Sequence, residues 1–258
     1  MKIQCSGRCL KGYNKILETT LISTINDFLK GLDSIYDNPE VLQQFYDYLQ
    51  MKYQIPCEIG MLFIEKITTS SIFKMFKLRV EPMNSLTNSK IKLYQWIRPR
   101  HMEIQSFNFT EIISSFVKIK NSPVPSVKIH HLMEGIKLLY ERIGKDSGLD
   151  IFFPYLVFCF IKSNLEDLYA HIHYINTFKR KFYKPCELNC THGFQLCVSC
   201  DCLVSKDWAN EEEYYLTTSL AAVDYISKLE FYNLNVEAKE FESEILKRLG
   251  NINLSDKI

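Results

Sequence analysis

The sequence lacks the features that mark several common classes of protein. No apolar run reaches the roughly 20 residues that a transmembrane helix needs, and the N-terminal stretch MKIQCSGRCLKGYNK has no apolar segment typical of a signal peptide. The formal net charge is only +1, without a long block of one sign. Because domains that bind nucleic acids usually present a basic face, we expect neither a membrane span nor a nucleic-acid partner.

Motifs that mark enzymes are also missing. The segment Gly144 to Ser147 lacks the upstream glycine of a P-loop and follows a predicted helix instead of a strand. The sequence contains no G-x-G-x-x-G, H-E-x-x-H or G-x-S-x-G pattern, and its six histidines are scattered. We therefore expect no covalent chemistry, no cofactor of the protein's own and no metal among the functional residues.

Cysteine, in contrast, is frequent. The chain has nine cysteines, an odd number, and no recognisable export signal. This usage is typical of free thiols in a reducing compartment. We expect a cytoplasmic protein, in which any contact with a membrane is peripheral and made through partners.

Four of the cysteines form two closely spaced pairs. Cys186 and Cys190 are separated by three residues, and Cys197 and Cys200 by two. Structural zinc sites use pairs of thiolates with two to four residues between them, but the gap between these two pairs is short for such a site. Zinc at this loop therefore stays open as the less favoured alternative to a loop that is simply rich in cysteine.

The periodicity of the apolar residues predicts an all-α protein with an irregular multi-helix bundle. Apolar residues make up 47% of the chain and recur at intervals of three and four, with no sustained period of two. Pro82 and the polar cluster Asn84 to Ser89 predict a loop between helices. The last helix, from Val236 to Leu249, should end at Gly250.

The stretch from Asp150 to Phe178 is the most informative part of the chain. Its apolar run, Ile151 to Ile161, is too short to span a bilayer. A helix that is apolar on every side lies at the centre of a larger helical protein. Pro154 should then lie in the first turn, where the missing amide costs little. After Asn164 the three- and four-residue spacing of apolar residues predicts a second, amphipathic helix.

Two readings of Asp150 follow from its position. Asp is a favoured N-cap residue, and it could simply accept hydrogen bonds from the first turn of the helix. The same ambiguity applies to a second stretch, Tyr214 to Leu229, where Thr217 or Thr218 could cap the helix and Tyr214 could be an ordinary packing residue. Residue type alone does not separate these structural roles from functional ones.

Together the two stretches resemble the vacuolar-protein-sorting-nine (Vps-nine) domain. The shared pattern runs D-x-x-x-P, an apolar helix ending near K-x-N, then Y-I-x-x-F, Y-x-x-T and A-A-x-x-x-I. The matching residues here are Asp150, Pro154, Lys162, Asn164, Tyr174, Ile175, Phe178, Tyr214, Thr217, Ala221, Ala222 and Ile226. The resemblance covers about the C-terminal two thirds of the chain and is strongest from Asp150 to Leu229.

The resemblance implies an all-helical guanine-nucleotide exchange factor for small GTPases of the Rab-five group. Asp150 would be an acidic finger that pairs with the P-loop lysine of the GTPase. Pro154 would shape the helix start, and Tyr214 and Thr217 would contact the switch region. Asp150, Tyr214 and Thr217 are thus the candidate catalytic residues, with Pro154 as a further GTPase-binding residue. Nucleotide and Mg²⁺ would be carried by the GTPase.

The resemblance also implies a domain division and a place in the cell. Residues 1–69 would form a helical segment packed on the core, residues 70–235 the exchange domain, and residues 236–258 a C-terminal helix and tail. We expect a function in endocytic vesicle traffic, with peripheral association at early endosomes. An insertion at about 179–213 departs from the usual short connection of the family.

Two local departures leave other functions open. Ile151 stands where an acid often follows the catalytic Asp in the family, and Glu213 where many members have glycine. The first alternative is a GTPase-binding or adaptor module that has lost exchange activity. The second is a zinc-stabilised helical scaffold with no GTPase partner.

Overall fold

A computed structural model describes residues 20–31, 38, 40–53, 58–69, 72–144, 147–180 and 211–255. These residues form α-helices and short 3₁₀ helices, and no β-strand occurs among them. The predicted all-α class is therefore confirmed. The chain divides into two compact units. Unit 1 comprises residues 1–79, 121–130 and 174–206. Unit 2 comprises residues 80–120, 131–173 and 207–258.

Among the residues that the structure describes, unit 1 contains four helices and the ends of two others. The four are α1 (Leu21–Leu29), α2 (Glu40–Lys52), α3 (Glu58–Thr69) and α4 (Ile72–Arg79). The start of α2 follows the predicted signal, since the Asn38 side-chain oxygen accepts a hydrogen bond from the Glu40 amide at 3.2 Å. The unit also includes the first turns of α7 (Pro125–Ile143) and the last turn of α9 (Leu168–Phe178).

Aromatic side chains fill the core of unit 1. Phe28 stacks on Phe45 with ring centroids 3.7 Å apart. Tyr174 lies 4.9–5.6 Å from three further rings, those of Phe73, Phe76 and Phe178. Its hydroxyl donates a hydrogen bond to the Thr69 carbonyl oxygen at 3.0 Å, so this buried polar atom is satisfied.

Unit 2 is built from the remaining helices. They are α5 (Glu81–Leu93), α6 (Thr110–Val117), the rest of α7, α8 (Leu149–Ser163), most of α9, α10 (Glu212–Ser227) and α11 (Ala238–Ser255). Short 3₁₀ helices at Pro99–Met102, Lys118–Asn121 and Phe231–Asn233 connect some of them. Helix α8 packs against both α6 and α10.

Helix α8 supplies the core of unit 2, as its apolar sequence predicts. Phe152 and every residue from Tyr155 to Ile161 are buried. Phe158 and Phe160 meet Phe109 and Phe116 with ring centroids 4.9 and 5.0 Å apart. At Gly135 of α7, a Cβ would lie 2.4 Å from the Phe116 ring, so glycine permits this close packing.

The predicted loop at Asn84 to Ser89 is wrong, because these residues lie within α5. Pro82 lies in the first turn of that helix, where proline is tolerated. The polar side chains have tertiary partners: Asn84 donates to the Asp167 carboxylate at 2.7 Å and accepts from the Ala170 amide at 3.2 Å. Polar residues that hold the start of α9 were thus mistaken for a solvated loop.

Two further predictions concern the C-terminal part of the chain. The last helix does not end at Gly250, since α11 continues to Ser255. Glycine lowers helix stability by about 1 kcal/mol, which weakens a helix but does not always end it. The division at residues 69 and 235 stays a prediction. Within the described residues, no helix has both the length and the apolar character needed to cross a membrane.

Candidate functional site

The first turn of α8 holds Asp150 as its second helical residue. Gly148 is the N-cap, with an extended backbone, and its carbonyl oxygen accepts hydrogen bonds from the amides of Ile151 and Phe152 at 3.1 and 3.0 Å. The structure thus excludes the interpretation of Asp150 as N-cap. Its carboxylate still lies in the first turn, where the helix dipole favours a negative charge.

The Asp150 carboxylate is available for a partner. The residue is exposed, and its side chain makes no hydrogen bond or ion pair with any residue that the structure describes. Gly148 leaves room beneath it, because a Cβ there would lie 2.6 Å from Asp150 Oδ1. An acid at this position contributes to neither packing nor capping.

Pro154 lies deeper in α8 than the first turn, which corrects the predicted position. It is the sixth residue of the helix, because α8 begins at Leu149. Proline has no amide to donate to the carbonyl four residues earlier, and its ring pushes against that carbonyl. The carbonyl in question belongs to Asp150. The D-x-x-x-P spacing therefore loosens the helix at the residue that carries the exposed acid.

An aromatic trio fixes the beginning of α8 relative to the beginning of α10. Phe152 stacks on Tyr140 of α7 with ring centroids 4.5 Å apart and lies 6.0 Å from Tyr215 of α10, while Tyr140 and Tyr215 are 5.7 Å apart. Burial raises the pKa of both tyrosines, so their hydroxyls stay protonated. Asp150 precedes Phe152 by two residues and Tyr214 directly precedes Tyr215, so the trio positions the elements that carry both candidate residues.

Tyr214 and Thr217 lie within α10, which excludes Thr217 and Thr218 as helix caps. The helix begins upstream, at Glu212. The Thr217 hydroxyl donates a hydrogen bond to the Glu213 carbonyl oxygen at 2.8 Å, and the Thr218 hydroxyl donates one to the Tyr214 carbonyl oxygen at 2.9 Å. Tyr214 is 50% exposed and its ring packs edge-on against Tyr215 at 5.1 Å. Thr217 is exposed one turn further along the same face.

The surroundings of these residues are acidic and partly apolar. The first turn of α10 contains Glu212 and Glu213 and follows Glu211. Beside Asp150, Leu149 and Ile151 are 46% and 49% exposed. The apolar run from Ile151 to Ile161 predicts burial throughout, and the exposure of Ile151 corrects that prediction at its first residue. Exposed apolar groups next to an unpaired acid are typical of a surface that binds a protein partner.

The residues of the resemblance separate into two groups by burial. Tyr174, Ile175, Phe178, Ala222 and Ile226 are buried and hold the fold. Lys162 donates to the Gln95 carbonyl oxygen, and Asn164 ends α8 in the left-handed conformation at φ 46°. Asp150, Tyr214, Thr217 and Ala221 are exposed. The side chains of the second group face solvent and do not belong to the core.

Comparison with known proteins shows which family the chain resembles. The family model of the vacuolar sorting protein 9 (VPS9) domain matches residues 109–231. This range contains α6, α8 and α10 and all of the exposed candidate residues. This part of the chain is thus similar to the VPS9 domain, and the predicted resemblance is confirmed.

Curated relatives match the chain at low identity. Vacuolar protein sorting-associated protein vps901 of Schizosaccharomyces pombe is 24% identical over 181 residues, which are 66% of this chain and 27% of the relative. The Rab5 GDP/GTP exchange factor of Homo sapiens is 21% identical over 243 residues, 83% of this chain and 45% of the relative. The chain thus spans between a quarter and a half of the length of these relatives.

Some candidate residues lie outside the part of the chain that the structure describes. The cysteines considered for zinc, Cys186, Cys190, Cys197 and Cys200, fall there, as does most of the predicted insertion at 179–213. Zinc at this loop therefore stays a prediction. Among the residues of the site itself, Asp150 is the single acid in the first turn of α8, whereas protein metal sites combine several ligands.

Proposed function

We propose that this protein accelerates GDP release from a small GTPase, with Asp150 as the acidic finger. One observation carries the proposal: Asp150 is exposed in the first turn of α8, without a partner among the described residues, on a helix whose remaining turns are buried. A carboxylate with no structural function is available for intermolecular pairing. The match to the VPS9 domain supports a GTPase as the partner.

The chemistry of the partner explains why an acid serves this function. A GTPase holds GDP through the P-loop backbone, the P-loop lysine and Mg²⁺. A carboxylate that pairs with that lysine replaces the phosphate as its counter-ion and repels the phosphate group. Both effects favour the nucleotide-free GTPase. The acids at the start of α10, Glu211 to Glu213, add negative potential at the same end of the site.

Thermodynamic reciprocity then produces exchange. A protein that binds the nucleotide-free GTPase more tightly than the GDP-bound form weakens GDP binding by the same factor. Each factor of ten requires about 1.4 kcal/mol of differential binding. A desolvated charge pair between Asp150 and the lysine, at about 2–5 kcal/mol for truncation of one member, is large enough to provide one or more such factors.

The other candidate residues hold the GTPase in place. Tyr214 offers an exposed aromatic ring on a rigid helix, which suits the centre of a protein interface. Thr217 is small, and its hydroxyl oxygen can still accept a hydrogen bond from the switch region. Pro154 loosens the backbone at Asp150 and adds apolar surface to the same face of α8.

The partner belongs in this proposal to the Rab5 group, because three of the relatives are described as Rab5 GDP/GTP exchange factors. The function lies in endocytic vesicle traffic, with the protein in the cytoplasm and peripherally associated with early endosomes. The protein carries no cofactor of its own. Nucleotide and Mg²⁺ belong to the GTPase.

The test is release of a fluorescent GDP analogue from a panel of Rab GTPases, with and without the purified full chain. We expect faster release from a Rab5-group member, and tight binding of its nucleotide-free form. Binding of the nucleotide-free form without faster release would support the alternative of a GTPase-binding or adaptor module. Absence of binding to every GTPase would exclude both functions, and zinc analysis of the purified chain would then test the scaffold alternative.

A further inference from the structure

A cavity of about 440 Å³ lies in unit 2, beside the candidate site. Helix α8 contributes Phe153, Pro154 and Val157 to its wall, and α10 contributes Tyr225. The turn after the Pro99–Met102 helix contributes Glu103, and the Phe231–Asn233 helix contributes Tyr232. None of the functions assigned above to Asp150, Tyr214 or Thr217 uses this cavity.

The charges around the cavity favour a cation. Of its lining residues, only His101 has a basic side chain and only Glu103 has a carboxyl group. Burial lowers the pKa of His101, so the imidazole is neutral at pH 7. Arg100, on the same turn, forms an ion pair with Glu240 at 2.7 Å and is not among the lining residues. Glu103 therefore leaves the cavity with a net negative charge.

Aromatic rings give the cavity a second attraction for a cation. Phe153 and Tyr225 meet edge to face, with ring centroids 5.7 Å apart. Tyr232, which also lines the cavity, is 79% exposed. The faces of such rings attract ammonium and guanidinium groups. Val157 and Leu234, both buried, form an apolar floor that suits the aliphatic part of a long basic side chain.

The wall of the cavity is held in place before anything binds. Glu103 adopts φ +57°, a conformation that residues other than glycine seldom adopt. Its carboxylate accepts a hydrogen bond from the Asn235 side chain at 3.0 Å, and the Asn235 amide donates to the His101 carbonyl oxygen at 2.9 Å. These bonds orient the carboxylate, so little ordering is needed when a ligand binds.

The position of Pro154 connects the cavity to the proposed GTPase contact. Pro154 follows Asp150 by four residues, so the two lie on the same face of α8, about 6 Å apart along the helix axis. A standard protein interface covers about 800 Å² on each partner. A GTPase whose P-loop lies at Asp150 therefore also covers the cavity.

We infer that this cavity receives an arginine or lysine side chain of the GTPase, as a second contact distinct from the pairing at Asp150. This inference rests on the proposed function and adds a specificity element to it. Asp150 pairs with the P-loop lysine, which GTPases share. The cavity, in contrast, selects those GTPases that have a basic residue at the matching surface position.

Binding of the nucleotide-free GTPase at low and high salt tests the inference, using the full chain and the GTPase identified in the panel. We expect Glu103→Gln to weaken binding about 5- to 30-fold at low salt and to reduce its salt dependence. Tyr232→Leu should weaken binding about 3- to 10-fold. Glutamine keeps the hydrogen bond with Asn235, and Tyr232 is mostly exposed, so neither variant should lose stability.

Two matched controls separate the cavity from general surface effects. Tyr232→Phe keeps the ring, and Glu237→Gln removes an exposed acid in the adjacent segment that does not line the cavity; both should bind within about twofold of the wild type. A charge exchange, with Glu103→Lys and the matching basic residue of the GTPase changed to glutamate, should restore binding.

The outcomes distinguish this inference from the proposed function. Wild-type binding by Glu103→Gln and Tyr232→Leu, together with exchange that depends on Asp150, would overturn the cavity contact and leave the acidic finger intact. Absence of GTPase binding by the wild-type chain would overturn both. If the cavity variants and both controls weakened GTPase binding equally, the inference would also be overturned. Such a result would show that the loss of affinity does not come from the cavity.

Discussion

Two carboxylates of this protein, Glu65 in unit 1 and Asp150 in unit 2, are in opposite environments. Glu65 is fully buried on α3. It accepts hydrogen bonds from the amide and the hydroxyl of Ser126 at 3.0 and 2.9 Å, and the Arg180 guanidinium lies 3.4 Å away. Asp150 is exposed on α8 and has none of these contacts with the described residues.

The difference shows how the function of an acid follows from its surroundings. The Glu65 carboxylate of α3 contacts the start of α7 at Ser126 and the segment after α9 at Arg180. It is therefore not available to bind a partner protein. Asp150 keeps its full capacity to accept hydrogen bonds and to pair with a cation. The buried Glu65 therefore affects the stability of the fold, whereas the exposed Asp150 is available to bind a partner.

The largest expected effect concerns the ionisation of Glu65. Burial removes water from the carboxyl and raises the pKa of Glu65 to about 8, although the two hydrogen bonds from Ser126 act in the opposite direction. A raised pKa means that the folded state binds a proton that the unfolded state releases. The stabilising contribution is therefore complete below the unfolded pKa near 4.5 and is lost as the pH rises through 8.

The measurement compares wild type with Glu65→Gln by hydrogen exchange of the α3 amides at several pH values from 5 to 8. The difference in free energy of opening should fall by up to about 1.4 kcal/mol for each pH unit. Lys128, whose pKa burial lowers to about 7, titrates in both proteins and cancels from the difference. A difference that stays constant with pH would show that Arg180 keeps Glu65 ionised throughout.

A smaller effect is expected beside the exposed acid, at Tyr214. Tyr214→Ala should lower the efficiency of GDP release about 5- to 30-fold, the range for a central aromatic residue of an interface. Its thermal stability should match that of the wild type, because half of the side chain is exposed. Leu86→Ala, which changes a 41% exposed residue of α5, is the control and should retain full exchange. Equal activity of both variants would contradict a function of Tyr214 in GTPase binding.

The smallest effect is expected from a change that displaces Asp150 without altering it. The backbone of Gly148 has φ −67°, which alanine adopts freely, but the added Cβ would come within 2.6 Å of Asp150 Oδ1. Gly148→Ala should therefore shift the carboxylate and lower exchange about 2- to 10-fold, since small displacements of a reacting group reduce rates. The double variant with Asp150→Ala should be no worse than Asp150→Ala alone. A further loss in the double variant would show that Gly148 acts independently of Asp150.

The fold class could be predicted from the sequence, whereas the functions of the candidate site residues stay predictions. The apolar periodicity is local, and it correctly placed α8 in the core of unit 2. The pattern formed by Asp150, Pro154, Tyr214 and Thr217 can also be recognised from the sequence alone. These features depend on residues that are close in sequence or on one recognisable pattern.

The features that could not be predicted depend on residues distant in sequence. Glu65 lies on an amphipathic helix, where an acid is ordinarily solvated, and its partners follow 61 and 115 residues later. The helix at Asn84 depends on hydrogen bonds to Asp167 and Ala170. The sequence does not indicate Gly148 as the N-cap, because Asp150 is itself of a favoured N-cap type. A helix that began after Asp150 would have placed Pro154 in the first turn, whereas it lies deeper in α8.

GDP release from the responsive GTPase, compared between wild type and Asp150→Ala with the thermal stability of both proteins recorded in parallel, tests whether Asp150 is the acidic finger. We predict unchanged stability, because the Asp150 side chain makes no hydrogen bond or ion pair with a described residue. We also predict a loss of stimulated release of about 30-fold or more, as for truncation of a desolvated charge pair. Full stimulation by Asp150→Ala would remove Asp150 from the mechanism.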